Sequence, residues 1–88
     1  MSKWIYHLNL KEIYTSAHNG EITPKQWSEQ VANAIHNQLP SYLFLDELDE
    51  ILEDLDNVQP EETFDDTDII LDKLYDWADY NRCWIKTF

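Results

Sequence analysis

The chain has 88 residues and a net charge of -12 at pH 7, from 18 acidic and 6 basic residues. Its apolar fraction of 43% is too high for a disordered chain, and its length fits one small domain with an efficiently packed core. So much negative charge argues against direct binding to nucleic acid or to an anionic membrane, because both attract cationic patches. With one glycine and three prolines there is little linker material, so we expect a single domain over residues 1–88.

The two ends of the chain have strand-like patterns. Trp4, Tyr6 and Leu8 alternate with other residues, as in a short strand. The tail after Asn81, RCWIKTF, alternates in the same way and could pair with the first segment. A helical tail packed on the other helices is the alternative.

The first predicted helix begins after Asn9, which has the capping-box spacing to Glu12. Glycine tolerates the left-handed backbone of a helix C-terminus, so Asn19-Gly20 should end this helix. Its apolar face consists of Leu10, Ile13, Tyr14 and Ala17.

The second predicted helix has the clearest start signal. Thr23 is the cap, Pro24 occupies the first helical position, and Gln26 completes a second capping box. Pro40 should end the helix. The predicted inward side consists of Trp27, Val31, Ala34, Ile35 and Gln38.

A third helix is predicted over residues 44–56, capped by Ser41. Its buried face repeats at helical spacing and consists of Phe44, Leu45, Leu48, Ile51, Leu52 and Leu55. All of the remaining positions from 46 to 56 carry carboxylates. Because no lysine or arginine occurs between Lys25 and Lys73, we expect an unneutralised anionic surface.

A loop is predicted over residues 57–62, followed by a fourth helix from Thr63 with Asp65 and Asp66 in its first turn, where anions complement the helix dipole. Its core stripe consists of Thr67, Ile70, Leu71, Leu74 and Ala78, widened by Ile69. The predicted fold is therefore mainly α: a compact four-helix domain, with a short two-stranded β-ribbon between the terminal segments as one of the two options for the tail.

Metal and nucleophile motifs are weak. No acidic segment supplies the central glycine of a calcium-binding loop. His18 and His36 fit helix C-terminal positions, where a cation is favoured. Cys83 has no acid–base partner motif and is expected to be a packed thiol. We therefore predict no metal, no cofactor and no catalytic residue.

A cluster of aromatic residues occupies the C-terminal part of the chain: Tyr75, Trp77, Tyr80 and Trp84. We expect most of this group in the core. Any member left exposed would be an anchor for a protein partner, because Trp and Tyr dominate interface hot spots.

Twelve of the 18 acids fall between Asp46 and Asp68. Like charges four residues apart cost about 0.2–0.5 kcal/mol, and carboxylates near a helix C-terminus oppose its dipole, so stability alone does not explain this pattern. A solvated surface remains the alternative. The predicted partner-binding residues are Asp46, Glu47, Asp49, Glu50, Glu53, Asp54, Asp56, Glu61, Glu62, Asp65 and Asp66.

Rows of carboxylates beside an apolar stripe could imitate a phosphate backbone in front of an Arg/Lys-lined cleft. In size and charge the chain resembles many anti-CRISPR and anti-restriction proteins, a resemblance of composition. It implies an inhibitor, of phage or mobile-element type, that binds the basic surface of a nucleic-acid-binding protein or ribonucleoprotein. A cytoplasmic location is the default expectation, because the sequence shows no signal-peptide pattern and no apolar run of about 20 residues. The alternative is an immunity protein that neutralises a basic nuclease toxin, because colicin-type immunity proteins are similar in length, acidity and helical content. An enzyme is the third class, and no residue pattern favours it.

Overall fold

A computed structural model describes residues 3–88. In chain order it contains strand β1 (Tyr6–Asn9), helices α1 (Lys11–His18), α2 (Pro24–Gln38), α3 (Asp46–Asp56) and α4 (Phe64–Tyr80), and strand β2 (Cys83–Lys86). A single 3-10 turn (Ser41–Leu43) precedes α3. The predicted compact four-helix fold is confirmed, and so is the β-ribbon between the terminal segments. In this part of the chain no helix is long and apolar enough to cross a bilayer.

The ribbon is parallel, with Tyr6 opposite Cys83 and Asn9 opposite Lys86. Parallel strands need a long crossover, and here all four helices lie between the two strands. The turn before β2 uses Arg82 in the left-handed region at a φ of 57°. The Arg82 carbonyl accepts hydrogen bonds from the N–H groups of Ile5 and Tyr6 at 2.8 and 3.1 Å. This turn therefore joins the end of α4 to the beginning of β1.

The start of α2 matches its prediction. The Thr23 hydroxyl accepts a hydrogen bond from the Gln26 N–H at 3.1 Å, and the Gln26 side chain accepts one from the Thr23 N–H at 2.9 Å. Gly20 follows α1 at a φ of 75°, the left-handed conformation expected there. Both signals are local in sequence, so tertiary packing does not override them.

The predicted capping box of α1 is wrong. Leu10 is the N-cap, without a side-chain hydrogen bond, and the Asn9 side chain accepts one from the Lys11 N–H at 3.0 Å. Asn9 belongs to β1, and its own N–H and carbonyl pair with the side-chain amide of Gln38 at 2.7 and 3.1 Å. Gln38 is thus exposed rather than part of the inward side of α2, and it covers the free edge of β1.

The predicted start of α3 is also wrong. Ser41 makes no side-chain cap bond, and Leu45 is the N-cap of a helix that begins at Asp46. Phe44 is half-buried, and its ring centroid lies 4.9 Å from that of His36 at the end of α2. Leu45, predicted on the buried face, is 58% exposed. The helix thus begins two residues later than predicted.

The core lies around α2, which contacts α1, β1, α3 and α4. Its largest fully buried side chains are Leu8, Leu10, Val31, Ile35, Leu48, Ile51, Leu55 and Leu74. Ile69 does not widen the stripe of α4 as predicted but is 66% exposed. It lies two residues after the buried Thr67, which places it about 200° around the helix.

A candidate anionic face on two helices

Helices α3 and α4 lie side by side and antiparallel. Glu47, at the start of α3, lines one cavity with Trp77 and Tyr80 near the end of α4. Towards the other end of α3, Asp54 meets Lys73 from the middle of α4. Both helices bury their apolar stripes, so their acidic side chains cover a shared outer surface. We call the acidic residues of α3 and α4 the anionic face.

Most predicted partner-binding residues are exposed on or beside this face. The exposed members are Asp46, Glu47, Asp49, Glu50, Glu53, Asp56, Glu61, Asp65 and Asp66, whereas Asp54 and Glu62 are half-buried. Glu61 and Glu62 lie in the loop between the helices. On α4 the prediction covered only Asp65 and Asp66, in the first turn.

Three predicted residues accept internal hydrogen bonds. The Asp66 carboxylate accepts hydrogen bonds from the N–H and hydroxyl of Thr63 at 2.8 and 3.2 Å, and Glu62 accepts one from the Gln59 N–H at 2.7 Å. Asp54 pairs with Lys73. These carboxylates shape the start of α4 and the α3–α4 contact, and they are less available to a partner.

Four acids that the prediction missed extend the anionic face along α4: Asp68, Asp72, Asp76 and Asp79, all exposed. They follow the same spacing of three and four residues that marks the α3 acids, so the signal was present in the sequence. With them, residues 46–79 contain fifteen of the 18 acids and only one base, Lys73.

Lys73 corrects the expectation of an unneutralised surface. Its ammonium nitrogen lies 2.9 Å from Asp54 Oδ2 and 3.9 Å from Glu50 Oε1. The hydrogen bond to Asp54, followed by the charges of Asp54 and Glu50, raises the pKa of Lys73. One cation therefore bridges the two helices, and residues 46–79 contain no other base.

A shallow cavity of about 270 Å³ follows this junction and is lined by Glu47, Glu50, Ile51, Lys73 and Asp76. Three carboxylates meet here beside the lysine. Even so, within residues 3–88 no group of His, Cys, Asp or Glu side chains is arranged to hold a metal ion.

The aromatic residues at the C-terminus are mostly not in the core, contrary to the prediction. Trp77 is buried, but Tyr75, Trp84 and Tyr80 are exposed by 39%, 46% and 90%. Trp84 packs edge-on against Trp4 at a centroid distance of 5.4 Å. Tyr80 lies instead beside the start of α3. The buried face of α4 accommodates Trp77 alone of the three aromatic residues near its end, so Tyr75 and Tyr80 remain at the surface.

The remaining predicted groups lie away from the anionic face. His18 and His36 occupy the last turns of α1 and α2, as predicted. Cys83 is a buried thiol whose pKa burial raises to about 11, so it is a packed residue and not a poised nucleophile. Four of the six bases belong to the terminal segments and the start of α1: Lys3, Lys11, Arg82 and Lys86. The charge of the molecule is therefore strongly segregated.

No protein-family model, curated protein or solved structure matches the chain.

Proposed function

We propose that this protein is a small cytoplasmic inhibitor that imitates nucleic acid. It would occupy the nucleic-acid-binding surface of a host defence complex, as anti-CRISPR and anti-restriction proteins do. The observation that carries the proposal is the anionic face, where two adjacent helices present acids of one sign with a single lysine between them. A basic protein surface is its natural complement.

The spacing of the carboxylates supports mimicry. Acids four residues apart on a helix are separated by about 6 Å along its axis, close to the roughly 7 Å between neighbouring phosphates of one nucleic-acid strand. Asp68, Asp72 and Asp76 form such a series on α4, and Asp76 lines a cavity together with Glu47 and Glu50 of α3. Two antiparallel rows of charge give the partner a surface resembling two backbones.

The proposal is one of binding without catalysis. General acid–base chemistry needs two carboxyl groups in unlike environments inside a pocket. Nearly all acids of the anionic face are exposed to solvent instead. Rapid, salt-sensitive association with a basic target is the behaviour such a surface favours.

The test begins with capture of partners from bacterial lysate on the immobilised protein, with elution by increasing salt. We expect a nucleic-acid-binding complex that competing DNA or RNA displaces. Recovery of a single small basic nuclease would instead indicate the immunity function. Recovery of no basic partner would leave the anionic face as a solvated surface and contradict the proposal.

A charge variant then tests the face itself. Asp49→Asn, Glu53→Gln, Asp72→Asn and Asp76→Asn together remove four exposed charges and spare both ion pairs of Lys73. We expect inhibition of the captured complex to be lost while the fold persists. The control neutralises the three acids outside residues 46–79, with Glu12→Gln, Glu21→Gln and Glu29→Gln, and should still inhibit; it breaks one exposed ion pair, between Glu29 and Lys25. Full inhibition by the face variant would rule out mimicry.

A further inference from the structure

A small open cavity of about 220 Å³ lies at one end of the anionic face, between the start of α3 and the end of α4. Three large side chains beside it are exposed: Tyr42 by 64%, Leu45 by 58% and Tyr80 by 90%. The buried Trp77 lines it from the core side, and Asp46 and Glu47 contribute carboxylates. Apolar surface and negative charge therefore meet at one place.

One aromatic ring of this cavity, that of Tyr42, is held in position before any partner binds. The Tyr42 hydroxyl lies 2.8 Å from the hydroxyl of Tyr6, which belongs to β1. The two rings also meet edge-on, with centroids 6.4 Å apart. A prepositioned ring loses little conformational entropy on binding, which is what an interface anchor requires.

The chemistry of the lining selects one kind of occupant. Two acidic residues and no basic residue line the cavity, so a cation is favoured. An arginine guanidinium stacks on tyrosine rings and pairs with carboxylates through parallel hydrogen bonds, whereas a lysine ammonium does only part of this. The volume is below the ~300 Å³ at which small-molecule pockets begin, which suits a single side chain.

We propose that this cavity receives an arginine side chain of the basic partner. The proposal rests on the proposed function, because it names the partner residue that anchors the complex. Glu47 connects this cavity with the rest of the anionic face, because it also lines the neighbouring cavity that contains Glu50, Lys73 and Asp76. The arginine would bind at the end of the anionic face while the flanking acids steer the approach.

The test is an NMR titration of the full chain with N-acetyl-arginine amide, using N-acetyl-citrulline amide as the uncharged isostere. We expect arginine to shift the ring signals of Tyr42 and Tyr80 and the backbone signal of Glu47, and citrulline to leave them unchanged. Tyr80→Ala and Glu47→Gln should each weaken binding about two- to fivefold. Tyr75→Ala and Glu21→Gln remove an aromatic ring and a charge that lie outside both the cavity and the anionic face, and they should leave binding unchanged.

The outcomes separate this proposal from the proposed function. Shifts spread evenly along α3 and α4, equal shifts with citrulline, or no shift at Tyr42 and Tyr80 would overturn the arginine site. None of these results affects inhibition by the anionic face, which the charge variant tests separately. Localised shifts, combined with full inhibition by the charge variant, would keep the arginine site and reject nucleic-acid mimicry.

Discussion

Tyr14 carries the one buried side-chain polar atom in residues 3–88 that has no hydrogen-bond partner. Its ring packs edge-on against Trp27 at 6.2 Å. Burial, followed by the neighbouring Tyr75 hydroxyl and the Asp68 carboxylate, raises the pKa of the Tyr14 hydroxyl. The Tyr75 hydroxyl is close enough to affect this pKa but does not meet hydrogen-bond geometry, so the Tyr14 hydroxyl stays unsatisfied. We predict that Tyr14→Phe increases the free energy of unfolding by about 1 kcal/mol, because it removes an unsatisfied hydroxyl and keeps the ring. Urea denaturation measures this change.

Tyr6→Phe is the matched control for this prediction. It also removes a tyrosine hydroxyl, but one that is hydrogen-bonded to Tyr42. Tyr6→Phe should leave the free energy of unfolding unchanged or lower it slightly. A loss of stability in Tyr14→Phe equal to or larger than that in Tyr6→Phe would show that the Tyr14 hydroxyl is satisfied in solution.

Cys83 gives the molecule a predictable response to alkaline pH. Burial raises the pKa of its thiol to about 11, above the ~8.5 of an unfolded cysteine. The folded state thus favours the protonated thiol. This stabilisation is complete below the unfolded pKa and is lost as pH rises towards the folded pKa. We predict that the free energy of unfolding falls by up to about 2–3 kcal/mol between pH 9 and 11. Across this pH range the denaturant midpoint should fall less steeply for Cys83→Ala than for the parent protein. An equal fall in both proteins would contradict a role of the Cys83 thiol in this pH dependence.

At the scale of elements, local capping signals predicted the starts of α2 and α4 and failed at the starts of α1 and α3. The start of α2 depends on Thr23 and Gln26, only three residues apart, and both predicted bonds form. The same kind of motif failed at Asn9, because that residue pairs with Gln38, 29 positions away. A capping pattern is reliable when no strand or distant side chain competes for the same backbone groups.

These two outcomes lead to a quantitative prediction. Thr23→Ala should lower the free energy of unfolding by about 1 kcal/mol, because it leaves an N–H group of the first turn of α2 without its partner. Ser41→Ala is the control, since Ser41 makes no cap bond. It should change stability by less than about 0.5 kcal/mol. Equal losses in the two variants, measured by urea denaturation, would mean that the Thr23 bond contributes nothing specific.

At the scale of the whole molecule, the sequence predicted the helical content and the pairing of the ends, but not the arrangement of charge. The parallel orientation of the ribbon depends on the path of all four helices. The ion pair between Lys73 and Asp54 spans 19 residues and exists only because α3 packs against α4. The missed acids of α4 could have been recognised from spacing alone. Neutralisation between helices and exposure of Tyr80 could not, since both depend on tertiary packing.

Repulsion within the anionic face should lower the free energy of unfolding, and added salt should reduce this penalty. Asp49 and Glu53 are four residues apart on α3, exposed, and flanked by other acids. We predict that Asp49→Asn with Glu53→Gln raises the free energy of unfolding by about 0.5–1 kcal/mol at low ionic strength, because several like-charge pairs disappear. The gain should shrink at high salt, where exposed charges are screened.

Glu12→Gln provides the control for thermal denaturation at both ionic strengths. Glu12 lies on α1 next to Lys11, in the part of the chain that holds most of the bases, so its neutralisation should bring no gain. A gain restricted to the face variant would show that the chain accepts a penalty there, which favours selection of the charges for binding. If neither variant gains stability at low salt, the carboxylates cost nothing, and an ordinary solvated surface would explain them equally well.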